Sequence, residues 1–404
     1  MSHEPGRHFL QIPGPTNVPL PVLAAIAQPT IDHRGPEFGR IALDVLDRIR
    51  GVFKTSGPVV IYPASGTGAW EAALVNTLSP GDRVLMYETG WFATLWSRMA
   101  KKLGLEPEFI SGDWRSAVDA SAIEARLSED REHRIKAVAM VHNETSTGVA
   151  SAVAAVRKAI DAAGHPALLL VDTISSLASI DYRHEEWGVD VTVGGSQKGL
   201  MLPPGLSFNA VSPKALAASK KGGMPRSFWD WDEMIAANAK GFFPYTPATN
   251  LIQGLKVALD LLEAEGLDNV FARHDRAAEA TRRCVEHWGL EVNCRQDDAH
   301  SSSLTAVRVP EGHSADKLRA EILARCNMSL GNGLGPLADK VFRIGHLGDF
   351  SDLMVTGTLT GVEIGMKATG IPYRPGGIEA AIAVLAGNSA PEALRTAPRR
   401  AKAV

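Results

Sequence analysis

The sequence predicts an α/β protein with a mostly parallel seven-stranded sheet in a large domain and a smaller C-terminal α+β domain. Three observations predict this fold class. Short apolar or β-branched runs alternate with longer helical stretches from about residue 57 to residue 211, which is typical of repeated strand–helix units. Several runs are apolar throughout, as expected for strands covered by helices on both faces. After residue 250 the pattern changes to long helices separated by few strands.

The first half of the chain supplies the strands of the large domain. Residues 1–20 are predicted to form an extended arm, because Pro13, Pro15 and Pro19 have a fixed φ and no backbone donor. The seven strands are predicted at residues 59–62, 83–87, 108–110, 137–141, 168–171, 191–193 and 206–211. Helices between them are predicted at residues 69–78, 92–103, 120–128 and 152–163.

The second half predicts the smaller domain and its connection. A long apolar-periodic helix at residues 251–265 is expected to join the two domains. Beyond it, elements are predicted at residues 269–288 (helix), 304–309 (strand), 315–326 (helix), 340–344 (strand) and 378–386 (helix). The predicted limits are 1–20 for the arm, 21–265 for the large domain, 266–390 for the small domain and 391–404 for a flexible tail.

Composition argues against several classes of protein. The 404 residues carry a formal net charge of −3, which argues against a strongly basic nucleic-acid binder. No apolar run approaches the roughly 18 residues that a membrane span needs, and residues 1–10 lack the apolar stretch of a signal peptide. Cys284, Cys294 and Cys326 are odd in number and share no CxxC spacing, so neither a disulfide framework nor a zinc site is expected. The twelve histidines show no metal-binding spacing. We therefore expect a cytoplasmic protein without metal, membrane or nucleic-acid partners.

Three separate motifs could bind a ligand or carry chemistry. The run Ser65-Gly66-Thr67-Gly68 follows a strand and opens a helix, so its N–H groups could hold an anion, although an ordinary N-cap turn is an equal alternative. Asp172 directly follows a buried strand, where open α/β sheets bind ligands, although such an aspartate often only caps a turn. Lys198 lies among small residues at another strand end and could form a Schiff base, although most lysines are solvated.

Taken together, the three motifs fit one cofactor. Pyridoxal 5′-phosphate needs an anion site for its phosphate, a carboxylate for its pyridine nitrogen and a lysine for its aldehyde. The order along the chain is the glycine-rich turn, then Asp172, then Lys198 on the next strand end. Three weak signals in this order are much stronger than any one of them.

The chain resembles the class V pyridoxal-phosphate aminotransferases, and within them the serine–glyoxylate group. The matching motifs cover nearly the whole chain and lie at residues 13–19, 32–38, 65–74, 142–149, 194–206, 244–249 and 342–350. The resemblance implies the aspartate-aminotransferase-like fold type I. It also implies ping-pong transamination between L-serine and glyoxylate, which gives 3-hydroxypyruvate and glycine.

The resemblance implies a role for individual residues at the cofactor. Lys198 would form the Schiff base and move the substrate proton, and Asp172 would pair with the pyridine nitrogen. Phe92 would stack on the pyridine ring, with its neighbour Trp91 in that place if the alignment shifts by one residue. The remaining implied contacts are Ser65, Gly66, Thr67 and Gln197 at the phosphate and Thr147 at the ring oxygen.

Further implied residues concern the substrate and a second subunit. Arg343 would bind the substrate carboxylate in bidentate fashion, unless it forms a structural ion pair. Tyr245 and Thr246 would reach the phosphate in the partner subunit, which implies a homodimer or a higher homo-oligomer. Residues 14–18 and the loop at His33 and Arg34 would line the substrate pocket.

Alternative functions stay open at this point. Alanine–glyoxylate transamination, or that of another small substrate, would share every catalytic residue, and a phosphoserine aminotransferase would need extra basic residues such as His33 and Arg34. A cysteine desulfurase would need a reactive loop cysteine, whereas Cys326 lies on a predicted helix. A nicotinamide-dependent dehydrogenase would need a GxGxxG motif that the sequence lacks. A non-catalytic binding protein is the alternative from a different class.

Overall fold

The computed structural model describes residues 7–387. Its strands are β1 (Phe9–Gln11), β2 (Val59–Tyr62), β3 (Arg83–Tyr87), β4 (Glu106–Ile110), β5 (Ile135–Val141), β6 (Asn143–Glu144), β7 (Val149–Ala150), β8 (Leu168–Asp172), β9 (Val191–Gly195), β10 (Ser207–Val211), β11 (Glu291–Val292), β12 (Leu304–Arg308), β13 (Met328–Asn332) and β14 (Val341–Gly345). Its α-helices are α1 (Leu20–Ile26), α2 (Pro36–Phe53), α3 (Gly66–Thr77), α4 (Trp91–Lys102), α5 (Ala120–Glu129), α6 (Val153–Ala162), α7 (Pro213–Ser219), α8 (Trp231–Asn238), α9 (Thr249–Glu265), α10 (Leu267–Trp288), α11 (Ala315–Cys326), α12 (Asp352–Thr369) and α13 (Gly377–Leu385).

The large sheet has seven strands in the order β2-β10-β9-β8-β5-β3-β4. Only β10 runs antiparallel to its neighbours, while the other pairs within this sheet are parallel. Each of the seven predicted strands overlaps one strand of this sheet. The predicted α/β class with a mostly parallel sheet is therefore confirmed.

The apolar strands are explained by helices that cover both faces of the sheet. In β8, Leu168 and Leu170 pack into the core that contains α3 and α4. Leu169 and Val171, which point the other way, pack into the core that contains α5 and α6. A strand buried on both sides has no polar face, which is why these runs show no alternation.

A second sheet, with strand order β1-β13-β14-β12-β11, is formed mainly by the C-terminal third of the chain. It packs with α10, α11, α12 and α13 around its own hydrophobic core. Strand β1 belongs to the predicted N-terminal arm, and it pairs in parallel with β13. The arm thus contributes a strand to the sheet that is farthest from it in sequence.

One long helix of this second unit, α12, is not among the elements predicted from the sequence. Three glycines at residues 357, 361 and 365 interrupt its helical pattern in the sequence. A methyl group added at Gly361 would lie 2.5 Å from Met328 Cε, and one at Gly365 would lie 2.9 Å from Ile322 Cδ1. These glycines allow α12 to pack closely against β13 and α11.

Within residues 7–387, no helix has the length and apolar character needed to cross a bilayer. The tail predicted at residues 391–404 lies outside the described residues.

Candidate active site

Lys198 lies just beyond the end of β9, in a turn that is almost closed to solvent. Its side chain is 7% exposed, and its Nζ donates a hydrogen bond to the carbonyl of Pro13. The pKa of Lys198 is lowered to about 7, chiefly by burial and also by the nearby Arg343 cation, while the charge of Asp172 acts in the opposite direction. An amine that is partly neutral near pH 7 can act as a nucleophile and as a base.

Asp172 ends the neighbouring strand β8, and its carboxylate is fully buried. Its Oδ2 accepts a hydrogen bond of 2.9 Å from Trp70 Nε1, and its Oδ1 accepts one of 2.6 Å from the Ile174 N–H. The pKa of Asp172 is raised to about 7, chiefly by burial and also by the negative charge of Glu144. The hydrogen bonds from Ile174 and Trp70 and the charge of Lys198 act in the opposite direction. A buried carboxylate of this kind gains most from a cationic hydrogen-bond donor.

The start of α3 forms an open anion site. Ser65 is the N-cap residue, but its side chain makes no capping hydrogen bond, and both Ser65 and Thr67 are exposed. A methyl group added at Gly66 would lie 2.6 Å from Ile174 Cγ1, so only glycine fits there. The Gly68 N–H donates to the Ser65 carbonyl at 2.9 Å, whereas the N–H groups of Gly66 and Thr67 have no carbonyl one turn earlier in the helix to accept them and could bind an anion.

Gln197 adds a polar group beside this helix start. Its Oε1 is buried and has no hydrogen-bond partner among the residues that the structure describes. The position of a methyl group added at Gly195 would be 3.3 Å from this oxygen and 3.8 Å from the Gly66 nitrogen. Because the two ends of an amide are interchangeable by rotation, the Gln197 amide can donate toward an anion bound at α3.

The aromatic residues at the start of α4 point in different directions. Phe92 packs edge-on against Trp70, with ring centroids 6.4 Å apart. Trp91 instead contacts Trp114, with centroids 6.5 Å apart, and the guanidinium of Arg98. Phe92 is therefore the aromatic ring on the Asp172 side.

Two residues of the turn after β5 complete this side of the site. Thr147 is buried, and its hydroxyl donates to the Thr89 carbonyl at 3.3 Å. Glu144, which sequence reasoning missed as a site residue, is fully buried and accepts from the backbone N–H groups of Phe92 at 3.3 Å and Ala93 at 3.1 Å. Burial raises the pKa of Glu144, and the hydrogen bonds from Ser146 lower it. The sequence contains no signal of this contact beyond the position of Glu144 within the 142–149 motif.

Arg343 reaches the same site from β14 of the second sheet. Its side chain is 7% exposed, its Nε donates to the Asn332 carbonyl at 2.7 Å, and its Nη1 donates to the Thr145 carbonyl at 2.8 Å. Within residues 7–387 no ion pair is formed by Arg343, so the structural ion-pair interpretation does not fit. Burial lowers its pKa to about 10, with Glu144 acting in the opposite direction. A buried guanidinium without an anionic partner is well suited to bind a carboxylate.

The N-terminal arm lies against the lysine. Thr16 donates its N–H to the Gln197 carbonyl at 3.2 Å and its hydroxyl to the Lys198 carbonyl at 3.2 Å. A methyl group added at Gly14, where φ is +87°, would lie 2.7 Å from Lys198 Nζ. The arm is therefore part of the site.

The remaining sequence-predicted residues are not brought to Lys198 within one chain. The Nε2 of His33 is buried and has no hydrogen-bond partner among the described residues, and Arg34 is exposed. Within residues 7–387, no hydrogen bond joins either residue to Lys198, Asp172 or Arg343. Tyr245 donates its hydroxyl to the Ile61 carbonyl of the same chain at 3.0 Å, and Thr246 is exposed. The Tyr245 contact is near the end of β2, the strand that leads into Ser65, and Thr246 is the next residue along the chain.

The site fits pyridoxal phosphate on the chemistry of its groups. An open helix start with an unpartnered amide suits the phosphate, a buried carboxylate suits a protonated ring nitrogen, and a partly neutral lysine suits an aldehyde. Fold and site together define the class of pyridoxal-phosphate-dependent transferases.

Comparison with known proteins narrows this class to a family. The family model "Aminotransferase class-V" matches residues 8–333. A serine–glyoxylate aminotransferase of Hyphomicrobium methylovorum is 48% identical over 98% of this chain and 98% of its own length. An L-aspartate–glyoxylate aminotransferase of Paracoccus denitrificans is 46% identical over 92% of this chain and 94% of its own. The crystal structure of pyridoxamine–pyruvate aminotransferase from Mesorhizobium loti superposes with a TM-score of 0.89 at 30% identity, covering 94% of this chain and 97% of that one.

The chain belongs to the class V aminotransferases. It is therefore an enzyme with pyridoxal 5′-phosphate as its cofactor, and the fold type I assignment made from the sequence is confirmed.

Proposed function

We propose that this enzyme transfers the amino group of L-serine to glyoxylate and gives 3-hydroxypyruvate and glycine. The observation that carries the proposal is 48% identity to a serine–glyoxylate aminotransferase over 98% of both chains. The site supports the substrate class, because the unpaired guanidinium of Arg343 suits the one carboxylate that serine and glyoxylate each carry.

The bound cofactor supplies the aldehyde that accepts the amino group and the electron sink for the substrate's α-carbon. In our proposal, Lys198 Nζ would take up the proton of the substrate's α-carbon and hold it for the return transfer, since its lowered pKa leaves part of it neutral near pH 7. Asp172 would stabilise a protonated pyridine nitrogen. Arg343 orients the substrate by its carboxylate.

The residues that hold the cofactor are also proposed. Phe92 would cover the ring, and the Thr147 hydroxyl, which donates to the Thr89 carbonyl in this structure, would turn to donate to the ring oxygen. Phosphate contacts come from the start of α3 and from the turn before Lys198, namely Ser65, Gly66, Thr67 and Gln197.

A second candidate is a different amino donor with the same acceptor. The relative named for L-aspartate is 46% identical to this chain, and an alanine–glyoxylate reaction would use the same catalytic residues. Serine, aspartate and alanine differ in the side chain attached to the α-carbon. The absorption response to each amino acid separates the three reactions.

We make three further proposals about assembly, domain limits and location. We propose a homodimer in which Tyr245 and Thr246 act at the partner's phosphate site. The exposure of Thr246 and the contact of its neighbour Tyr245 with β2, the strand that leads to Ser65, support this proposal. We propose domain limits of 21–265 and 266–390, supported by the separate core of the second sheet. A cytoplasmic location is supported by the three free cysteines.

The test is the visible absorption of the purified protein with added pyridoxal phosphate. L-serine should remove the absorption band of the lysine-bound cofactor, and glyoxylate should restore it. Lys198→Ala should abolish the band and transamination, whereas Lys221→Ala, which changes an exposed lysine, should change neither. A band that responds to aspartate or alanine but not to serine would reassign the donor, and the absence of any lysine-dependent band would overturn the proposal.

A further inference from the structure

Trp70 contacts two of the residues proposed to hold the cofactor ring. Its indole N–H donates to Asp172 Oδ2 at 2.9 Å, and its ring packs edge-on against Phe92 at 6.4 Å. Its ring also stacks on that of Trp96, with centroids 5.8 Å apart and planes only 12° from parallel. Trp70 is 3% exposed and Trp96 is 0% exposed, so the indole is held in one orientation.

Trp70 also lies on the helix that forms the anion site. Helix α3 begins at Gly66, and Trp70 follows one turn later. A single rigid helix thus sets the spacing between the phosphate-binding turn and the carboxylate at the end of β8.

The carboxylate of Asp172 depends on few groups for its charge. One oxygen accepts from the Ile174 N–H and the other accepts from Trp70. The charged groups that act on it are Glu144, which disfavours its ionised form, and Lys198, which favours it. Arg343 acts on Lys198 and lowers its pKa. In so buried a place each hydrogen bond to the anion is strong, because no water competes for it.

We propose that Trp70 is a positioning residue of the cofactor site, whose indole N–H fixes the plane of the Asp172 carboxylate and stabilises its ionised form for the pyridine nitrogen. The inference rests on the proposed role of Asp172. It assigns to Trp70 no contact with substrate.

Trp70→Phe is the smallest change that tests this role, because it keeps an aromatic ring and removes the N–H. Trp96→Phe is the matched control: it makes the same change in the stacked neighbour, whose Nε1 is buried without a partner among residues 7–387. Both variants lose similar volume from one cluster, but only Trp70→Phe removes a donor from Asp172.

The first readout is cofactor affinity, measured by absorbance titration of the full chain between pH 6 and 8. Trp70→Phe should weaken binding about tenfold at neutral pH, the size expected for one lost hydrogen bond to a charged group. The loss of cofactor affinity relative to wild type should grow toward pH 6. Without the indole N–H the pKa of Asp172 rises, so a larger fraction of the variant carries a protonated Asp172 that cannot pair with the pyridine nitrogen. Trp96→Phe should change the affinity by less than about twofold.

The second readout needs no cofactor and no activity. In cofactor-free protein labelled with 5-fluorotryptophan, the ¹⁹F resonance that Trp70→Phe lacks should titrate near neutral pH, and Asp172→Asn should abolish this titration. Equal cofactor affinities in the two Trp variants, or a Trp70 resonance that does not titrate, would overturn the inference.

Two outcomes keep the inference separate from the proposed function. If Trp70→Phe does not fold, the comparison of wild-type and Asp172→Asn spectra still decides whether one indole senses Asp172. If the wild-type protein fails to bind pyridoxal phosphate, the proposed function fails, while the ¹⁹F titration still tests the Trp70–Asp172 contact.

Discussion

At the scale of single residues, the site depends on charges that are buried without their usual partners. Arg343 donates to two backbone carbonyls and to no carboxylate of the described chain. A guanidinium held in this way keeps its charge while part of its hydrogen-bonding capacity stays available. Its partner in the working enzyme should therefore be the carboxylate of the substrate.

Arg343→Ala should raise KM for both the amino acid and the oxo acid by about a hundredfold, since two charge-assisted hydrogen bonds are lost. Arg343→Lys should raise KM less, by about tenfold, because the positive charge remains but the planar guanidinium that binds a carboxylate in bidentate fashion is lost. Steady-state kinetics with each substrate varied in turn measures both. The control is Arg325→Ala, at an exposed arginine on α11 that pairs with Glu321. Unchanged KM values with Arg343→Ala would place the carboxylate site elsewhere.

Sequence reasoning can point to residues whose position along a strand carries a signal. Asp172 ends one strand and Lys198 follows the adjacent strand of the same sheet, so their proximity follows from topology alone. Glu144 and Trp70 could not be found in this way. Their importance lies in which backbone N–H or carboxylate each side chain meets, and neither strand ends nor helix periodicity encodes such a contact.

At the scale of elements, the start of α4 depends on a side chain from another part of the chain. Its N-cap residue is Gly90, which has no side chain to accept the first N–H groups. Glu144 accepts those of Phe92 and Ala93, and the hydroxyl of Ser146 accepts that of Trp91 at 2.9 Å. The carboxylate also lies at the positive end of the helix dipole. This cap fixes the backbone that carries Phe92.

Glu144→Gln should lower the free energy of unfolding by about 1–3 kcal/mol, because the amide presents a donor where the carboxylate presented an acceptor and so leaves a buried N–H unpaired. Urea unfolding monitored by tryptophan fluorescence measures the change. Glu132→Gln, at an exposed loop residue, is the control and should stay within about 0.5 kcal/mol of wild type. Equal stability of the two variants would show that α4 does not depend on this cap.

The elements themselves were predicted unevenly. The seven strands of the large sheet were all found, because two-sided burial leaves a continuous apolar run that periodicity detects. Helix α12 was missed because glycines at every fourth residue weaken its pattern, and β1 was missed because three residues pair only through a distant part of the chain. Long-range pairing and close packing are tertiary effects, and local sequence does not reveal them.

At the scale of the whole molecule, the site is assembled from both sheets and from the arm that connects them. Lys198 and Asp172 come from the large sheet, and Arg343 comes from the second sheet. The arm places β1 in the second sheet and binds the Lys198 turn through Thr16. Any displacement of the second sheet would thus move Arg343 and the arm together relative to the lysine.

The open anion site at α3 extends this argument to a second copy of the chain. Ser65 and Thr67 are exposed in the single chain, and so is Thr246. If Thr246 acts at the partner's phosphate, Thr246→Glu should weaken cofactor binding there through like-charge repulsion. Lys198→Ala abolishes the site of its own chain instead. A heterodimer of these two variants would then contain one site with its own Lys198 and with the wild-type Thr246 of the other chain.

Dissociating and reassociating an equal mixture of the two inactive variants should therefore restore about a quarter of wild-type activity, because half of the dimers are mixed and each has one intact site. The control is the same procedure with Lys198→Ala mixed with a Lys198→Ala, Thr246→Glu double variant, which has no chain with an intact lysine and should stay inactive. Recovery in the first mixture alone requires that Thr246 serve the neighbouring chain. No recovery, with mixed dimers demonstrated by sedimentation and differential tagging, would mean that Thr246 acts in its own site or in none, and the proposed composite site would be rejected.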